Sequence, residues 1–537
     1  MSVANRLIVN SLATLGRMAA TVMLGLLATR YAVQGLGDVD FGLLSVLGAT
    51  GALLIVVVDA LTASTIRHLS IEPDPNNTPR MRALFQAALT LIAASAGVVA
   101  LAGVALAPFI DHVLNIPPER VDAASWTLLL SLGSLAAGIV STPYRAVYFT
   151  RQHIVLWTLF EVMQSVLRLG VAASIFIAPM DKLVWYAGGL FAVQILTTVL
   201  AAAVALVRYP ETRAWPGRTA PGVLREICSF AGWTTLSSIV WRVRMQGSQI
   251  ALNLAFGPTV NTAYGIATQL SGYQNNLSAA LLRPAQPAVM NATGRRDEAA
   301  IFGLVRSTNK LLSMIALFVL VPLLVDTAGF LTLWLGVYPP EAIWLTKLVL
   351  SWSAAIWIAQ SHGMVVLSLD GYQRYSVTYS LIDLSGLLLG LAFVFLLKMP
   401  PWSMPLAALF TVFAGSVYRV WYLKGRWGLT IGCWVRDTLV PIATVGMIGA
   451  SGAVAAYGLA EEVFWRPVAV LAGFSAPGFA AIWLIGLNTE ERRLMTRFAR
   501  TALDRARSFT RPAPAVAPGA GMTTVPEPSQ PRGGGDQ

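Results

Sequence analysis

Along this chain apolar residues run for roughly 20 to 25 positions, break for a few polar ones and resume, from one end nearly to the other. Fourteen such runs are read, near 8–33, 41–64, 83–110, 125–149, 156–178, 184–207, 229–255, 260–287, 310–333, 342–368, 375–397, 402–423, 438–459 and 466–487. At ~1.5 Å per residue each is long enough to cross a hydrocarbon core of ~30 Å. Lipid offers no partner for a free backbone amide, so the runs are expected to be helices, and none shows the alternation of a barrel strand. The predicted fold is all-α, a polytopic membrane protein of about 14 transmembrane helices. The first run lacks a small-residue cleavage site and continues directly into a second, so it is read as a retained helix and not a signal peptide.

Composition agrees. Of 537 residues 56% are apolar and 12% charged, against about 25% charged in soluble domains. Lys and Arg fix the expected orientation, since the side richer in them faces the cytoplasm. With the N-terminus inside, 25 of the 38 fall on inner segments and the tail, against Arg120, Lys182, Lys398 and Arg466 outside. Both termini are therefore expected in the cytoplasm, and the protein in the cytoplasmic (inner) membrane. The formal charge of +12 sits mostly on those inner loops and the tail, where anionic lipid headgroups attract it, so membrane lipids and not nucleic acid are the expected partners. Cys228 and Cys433 both fall at inner helix ends, where a disulfide is not expected. From Asn488 a charged stretch leads into a Pro- and Gly-rich end. The end is predicted to be disordered, and Met495, Phe498, Ala502 and Phe509 recur at helical spacing, which fits either an interfacial helix or a solvated tail.

Catalytic carriers are scarce. There is no phosphate-binding GxxxxGK[ST], no GxSxG, no HExxH and no CxxC, so nucleotide, serine-hydrolase and zinc chemistry lack their usual groups and no cofactor or metal is expected. His68, His112, His153 and His362 are scattered without ligand spacing. The loop GLGDVDFG carries Asp38-Val39-Asp40. Such a pair resembles the acidic motif of polyprenyl-sugar glycosyltransferases, whose carboxylates hold a cation or deprotonate an acceptor. The plainer reading is a tight turn with its acids in water.

Nine basic residues fall within spans. Arg30, Arg145, Arg283, Lys347 and Arg419 lie close enough to helix ends to snorkel, whereas Arg17, Arg168, Arg242 and Arg244 lie deeper, where an unpaired charge costs at least ~2.5 kcal/mol. Helical spacing places Arg242, Gln246, Gln249 and Asn253 on one stripe, with Arg244 about 200° away. Glu161, Gln164 and Arg168 make a second stripe, and Tyr264, Thr268, Ser271, Asn275 and Ser278 a third. Three polar stripes predict either a hydrated cavity or interhelical hydrogen bonding. A cavity bearing several guanidinium forks suits an anion such as phosphate. Asp59, Glu161, Asp326 and Asp383 either pair with those arginines or carry protons or sodium for ion coupling.

Three segments carry a family resemblance: NSLATLGRMAATVMLGLLATRYAVQGLGDVDFGLLSVL, the block from Leu224 to Ala299 beginning LREICSFAGWTTLSSIVWRVRMQGSQ, and FLTLWLGVYPPEA. They resemble the polysaccharide-exporter branch of the multidrug, oligosaccharidyl-lipid and polysaccharide flippase superfamily, the Wzx-type O-antigen and exopolysaccharide translocases. The resemblance implies two six-helix lobes, 1–207 and 223–424, joined by a cytoplasmic linker at 208–222. Helices 13 and 14 would follow at 425–487, then a basic tail at 488–537. A repeated glycine turn followed by aromatic-Gly, at Gly37 with Phe41-Gly42 and at Gly257 with Tyr264-Gly265, is consistent with duplicated lobes. The implied protein is a flippase and not an enzyme. It would move a polyprenyl-pyrophosphate-linked oligosaccharide across the membrane for surface polysaccharide biosynthesis, beside a glycan polymerase or glycosyltransferases. Arg17, Arg168 and Arg242 would neutralise the pyrophosphate, and Gln246, Gln249, Tyr264 and Asn275 would bond the sugar. Asp59, Glu161 and Asp383 are the ion-coupling candidates. Where many relatives carry an aspartate in the seventh helix, this chain has Ser248 and Gln249, which counts against coupling there. Two other functions stay open: a cation-coupled multidrug exporter of the same superfamily, and a membrane glycosyltransferase using Asp38 and Asp40.

Overall fold

The computed structural model describes residues 3–54, 78–217, 221–282, 286–367, 369, 372–424, 430–462, 464–489, 491–493 and 496. They are almost wholly helical, with no strand among them. The first-half helices are α1 (Val3–Leu54), α2 (Thr78–Leu106), α3 (Val121–Val140), α4 (Thr142–Thr150), α5 (Ile154–Ser174) and α6 (Lys182–Arg208). The second half holds α7 (Pro221–Phe256), α8 (Pro258–Leu282), α9 (Gln286–Gly294), α10 (Glu298–Val325), α11 (Thr327–Leu335), α12 (Glu341–Trp357), α13 (Gln360–Leu367), α14 (Tyr372–Leu391) and α15 (Ser403–Tyr422). A closing pair follows, α16 (Val440–Leu459) and α17 (Arg466–Ala481). Residues 1–486 form one compact unit and 487–537 another.

Nine helical stretches among the described residues are long and apolar enough to cross a membrane, ten if α12 and α13, bent by 45° across their break, make one span. The described parts of the remaining four predicted spans fall on α1, which joins two arms across a kink, and on α7, α8 and the start of α9. The expected count of 14 is therefore not reproduced as such. The polar load of α8 is plain in its sequence, which carries Asn261, Gln269, Gln274, Asn275 and Asn276 among its apolar residues.

The two arms of α1 meet at Gly37, whose φ of 79° and ψ of 177° lie in a region essentially closed to other residues. Gly257, between α7 and α8, has φ 81°, and Gly336, after α11, has φ 82°. The first two are the glycines of the sequence repeat; Gly37 lies at the kink within α1, and Gly257 is the one residue between α7 and α8. Packing gathers α1 with α3 and α5, and α5 and α6 with each other; in the second half α8 packs on α12, and α14 on α7 and α15. The seam between the halves is α1, which lies against both α7 and α8. α16 and α17 pack on one another and on α10. One continuous apolar core includes Leu43, Leu47, Phe85, Leu128 and Tyr148 from the first half and Ile266, Leu335, Val349 and Trp352 from the second.

The second unit opens on a reciprocal cap. The Asn488 Oδ1 accepts from the Glu491 amide, and the Glu491 carboxylate accepts from the Asn488 amide, both at 2.8 Å, which satisfies two donors that a helix start leaves free. Of the segment from Asn488 predicted as an interfacial helix or solvated tail and a disordered end, residues 490, 494, 495 and 497–537 lie outside the described residues.

Candidate functional site

The polar stripe predicted on α7 faces the first half. Gln249 donates to the Ser45 hydroxyl on α1. Asn253, fully buried, accepts from the Asn115 amide at 2.8 Å and donates back to the Asn115 carbonyl at 3.3 Å. Arg242 and Gln246, on the same stripe, are half-buried. α8 adds two more ties: Thr262 donates to the Asp38 carbonyl, and Gln269 to the Thr29 hydroxyl. Tyr264 is buried at 3% exposure, and Asn275 is half-buried, accepting from Ser353 at 3.3 Å and donating to Ser271 at 3.4 Å.

On α5, Arg168 is exposed and donates one long bond, 3.5 Å, to the Gln194 Oε1. Gln194 is itself held by Gln164 at 2.7 Å and by Thr198 at 3.3 Å. No carboxylate among the described residues pairs with Arg168, which stands ~21 Å along α5 from Ile154 at 1.5 Å per residue. Glu161, on the same helix, accepts from the Trp157 indole at 2.9 Å.

Arg244, which the sequence reading set aside, turns into the second half. It is 2% exposed, its Nε lies 2.8 Å from the Asp383 Oδ1, and its guanidinium sits 4.6 Å over the Trp352 ring. The Nε–oxygen approach is off the line of the N–H, so the contact is an ion pair without an aligned hydrogen bond. Asp383, an ion-coupling candidate, is thus already neutralised by a resident cation. Asp326 is likewise paired, with Arg466, through bonds of 2.9 and 3.2 Å. Arg419 does not snorkel: it donates to Gln360 at 2.9 Å and lies 4.3 Å over Tyr379. The Arg17 side chain and Asp59 lie outside the described residues.

Asp38 and Asp40 part company. Asp40 takes a two-pronged contact from Arg120, with Nε at 2.8 Å, and the same guanidinium reaches Asp181 at 2.6 Å. Burial raises the Asp40 pKa although Arg120 pulls it down. Burial also works to raise Asp181, but the Arg120 and helix-start hydrogen bonds outweigh it and hold that carboxyl below its usual range. A cation shared by the two loop acids would need both, and Asp40 is committed to Arg120. No cluster of three potential metal ligands occurs among the described residues.

Sequence reasoning missed a cavity of about 650 Å³ between α1, α8, α10, α12 and α17, walled by Met18, Leu26, Leu277, Phe318, Leu323 and Leu471 with Tyr273, Gln274 and Asp326 as its polar residues. Apolar walls look like ordinary core in a sequence, so no signal marked it.

The chain resembles known transporters in fold. An inward-facing multidrug-resistance MATE transporter of the MOP superfamily superposes with a TM-score of 0.64 at 11% identity, over 78% of this chain and 98% of that one. The lipid II flippase MurJ, in an inward closed conformation, gives 0.64 at 12% identity over 88% and 98%. A MOP superfamily transporter from Pyrococcus furiosus, described as having a binding pocket of reversed polarity, gives 0.51 at 13% over 79% and 95%. At these identities the likeness is one of fold. No curated protein matches. The family model described as polysaccharide biosynthesis protein matches residues 7–290, more than half of the chain. With that match the chain belongs to the polysaccharide biosynthesis protein family, and its fold is the one seen in MOP superfamily transporters.

Proposed function

We propose that this protein flips a polyprenyl-pyrophosphate-linked oligosaccharide from the inner to the outer leaflet of the cytoplasmic membrane, with both termini inside. The observation that carries the reading is Arg168: a guanidinium exposed within a membrane helix, without a carboxylate among the described residues. A cation so placed is costly unless an anion visits it, and pyrophosphate oxygens match its fork. Arg242 and, from the sequence, Arg17 would join it, while the half-buried Gln246 and Asn275 would meet sugar and the buried Gln249 and Tyr264 would do so once the halves part. The cavity beside α1 is apolar enough for part of the isoprenoid chain. Two lobes, 1–207 and 223–424, would rock about the α1 seam to present the headgroup to each side in turn.

The pairing of Asp326 and Asp383 with arginines removes two of the acids that a cation-coupled drug exporter would use. Glu161 and Asp59 remain the candidates for ion coupling. Deleting the gene and measuring lipid-linked oligosaccharide by mass spectrometry tests the function. Intact intermediate should accumulate on the inner leaflet while surface polysaccharide disappears, whereas a truncated intermediate would point to a glycosyltransferase. Arg168→Ala should abolish export at normal membrane abundance, with Arg168→Lys keeping a fraction; full export by the alanine variant would remove Arg168 from the site.

A further inference from the structure

The closing helix pair has no assigned role, and one ion pair ties it to the seam between the halves. Asp326 is 3% exposed and sits between α10 and α11. Its Oδ1 accepts from the Gly329 amide at 2.9 Å, capping α11. The same carboxylate is gripped from both sides by Arg466, the first residue of α17, whose guanidinium lies 4.7 Å over the Tyr457 ring of α16.

At its other end α11 is bound to α1. Its last carbonyls have no partner inside the helix, and α1 supplies them: Arg30 donates to the Leu333 carbonyl at 3.1 Å and Gln34 to the Leu335 carbonyl at 2.7 Å. The Trp334 indole returns a bond of 2.8 Å to the Leu26 carbonyl. A carboxylate at the N-terminus and a guanidinium at the C-terminus both complement the dipole of this nine-residue helix.

We propose that Asp326 and Arg466 are positioning residues for transport: by fixing the start of α11 they hold its end against α1, so that α16 and α17 govern how readily the two halves part where the chain turns at Gly37. The three bonds between α1 and α11 join the two halves directly, and Gln249 to Ser45 and Thr262 to Asp38 lie along the same seam. Releasing Asp326 from Arg466 leaves the cap but frees α11 to tilt, and the seam loosens with it. Asn at 326 keeps an acceptor for the cap and removes the charge, so the ion pair is tested apart from the helix start. The inference does not depend on which substrate is carried.

The test uses the full chain in lipid nanodiscs, with Cys228 and Cys433 changed to serine and one reporter, Ser45→Cys, at the seam. The rate of maleimide labelling is read without substrate. Asp326→Asn and Arg466→Ala should each speed labelling by about tenfold, the change that roughly 1.4 kcal/mol gives. The double variant should label no faster than either single one, and Arg466→Lys should stay near the parent rate. A second reporter, Ala146→Cys, stands at a fully buried position of α4 and should label at the parent rate in every variant. Unchanged labelling at position 45, additive effects in the double variant, or equal acceleration at position 146 would each overturn the proposal. None of these outcomes bears on whether a lipid-linked oligosaccharide is the cargo.

Discussion

Arg244 and Arg168 show how differently one residue type behaves in this bundle. Arg244 is shut in with Asp383 and Trp352, and a buried pair is far more sensitive to losing one partner than to losing both. Arg244→Ala should therefore destabilise the protein by about 3 kcal/mol or more, since it strands a buried carboxylate, while Arg244→Met with Asp383→Leu should recover most of the melting temperature. Equal melting of the single variant and the parent would show the pair to be dispensable. Asp181 offers a pH test. Its folded pKa is depressed, so its contribution is complete above the ordinary carboxylate range and is lost as pH falls through the folded value. Asp40, with its pKa raised, works in the opposite direction. Melting of Asp181→Asn between pH 6 and 3 should fall less steeply than that of the parent; parallel curves would remove Asp181 from the acid response.

Among the elements, the helices and the two Gly turns were legible because run length, the 3.6-residue period and glycine's access to positive φ are local properties. Gly37 and Gly257 were read as turns and have the backbone angles only glycine takes easily. Gly37→Ala should cost about 1 to 3 kcal/mol by that conformation alone, read as a lower melting temperature; no change would mean the turn relaxes to ordinary angles. The α7 stripe was legible too, but not which neighbour it meets, and so Arg244 was noted as deep and set aside for Arg242 without its partner Asp383 being foreseen. Arg30 and Arg419 were assigned to the membrane surface by depth, yet each finds an acceptor that only tertiary packing supplies. Arg120 binds acids 80 and 61 residues away, a pairing no local spacing announces. The break between α12 and α13 was likewise hidden inside one continuous apolar run.

For the whole molecule, the sequence repeat has a spatial counterpart. Gly42 lies where an added Cβ would land on the Pro258 carbonyl, and Gly265 where one would meet the Ser45 hydroxyl. Each repeated glycine thus faces the other half of the molecule, Gly42 against the backbone of Pro258 and Gly265 against the small side chain of Ser45. Contacts this close, made by glycines, leave no long side chain to unthread at those two points, so the seam works as a bearing whose friction is set by residue size. Enlarging the Gly42 contact by a single methyl group should tune the resting balance between the two ends of the proposed transport cycle: Gly42→Ala should slow export in proportion to the altered balance, while equilibrium binding of a lipid-linked pyrophosphate at the proposed Arg168 site stays as it was. Natural variation in transport rate within such a fold then has a backbone contact on which to act, one that makes no bond to a charged group, and selection for speed and selection for the anion bound are free to proceed on separate residues.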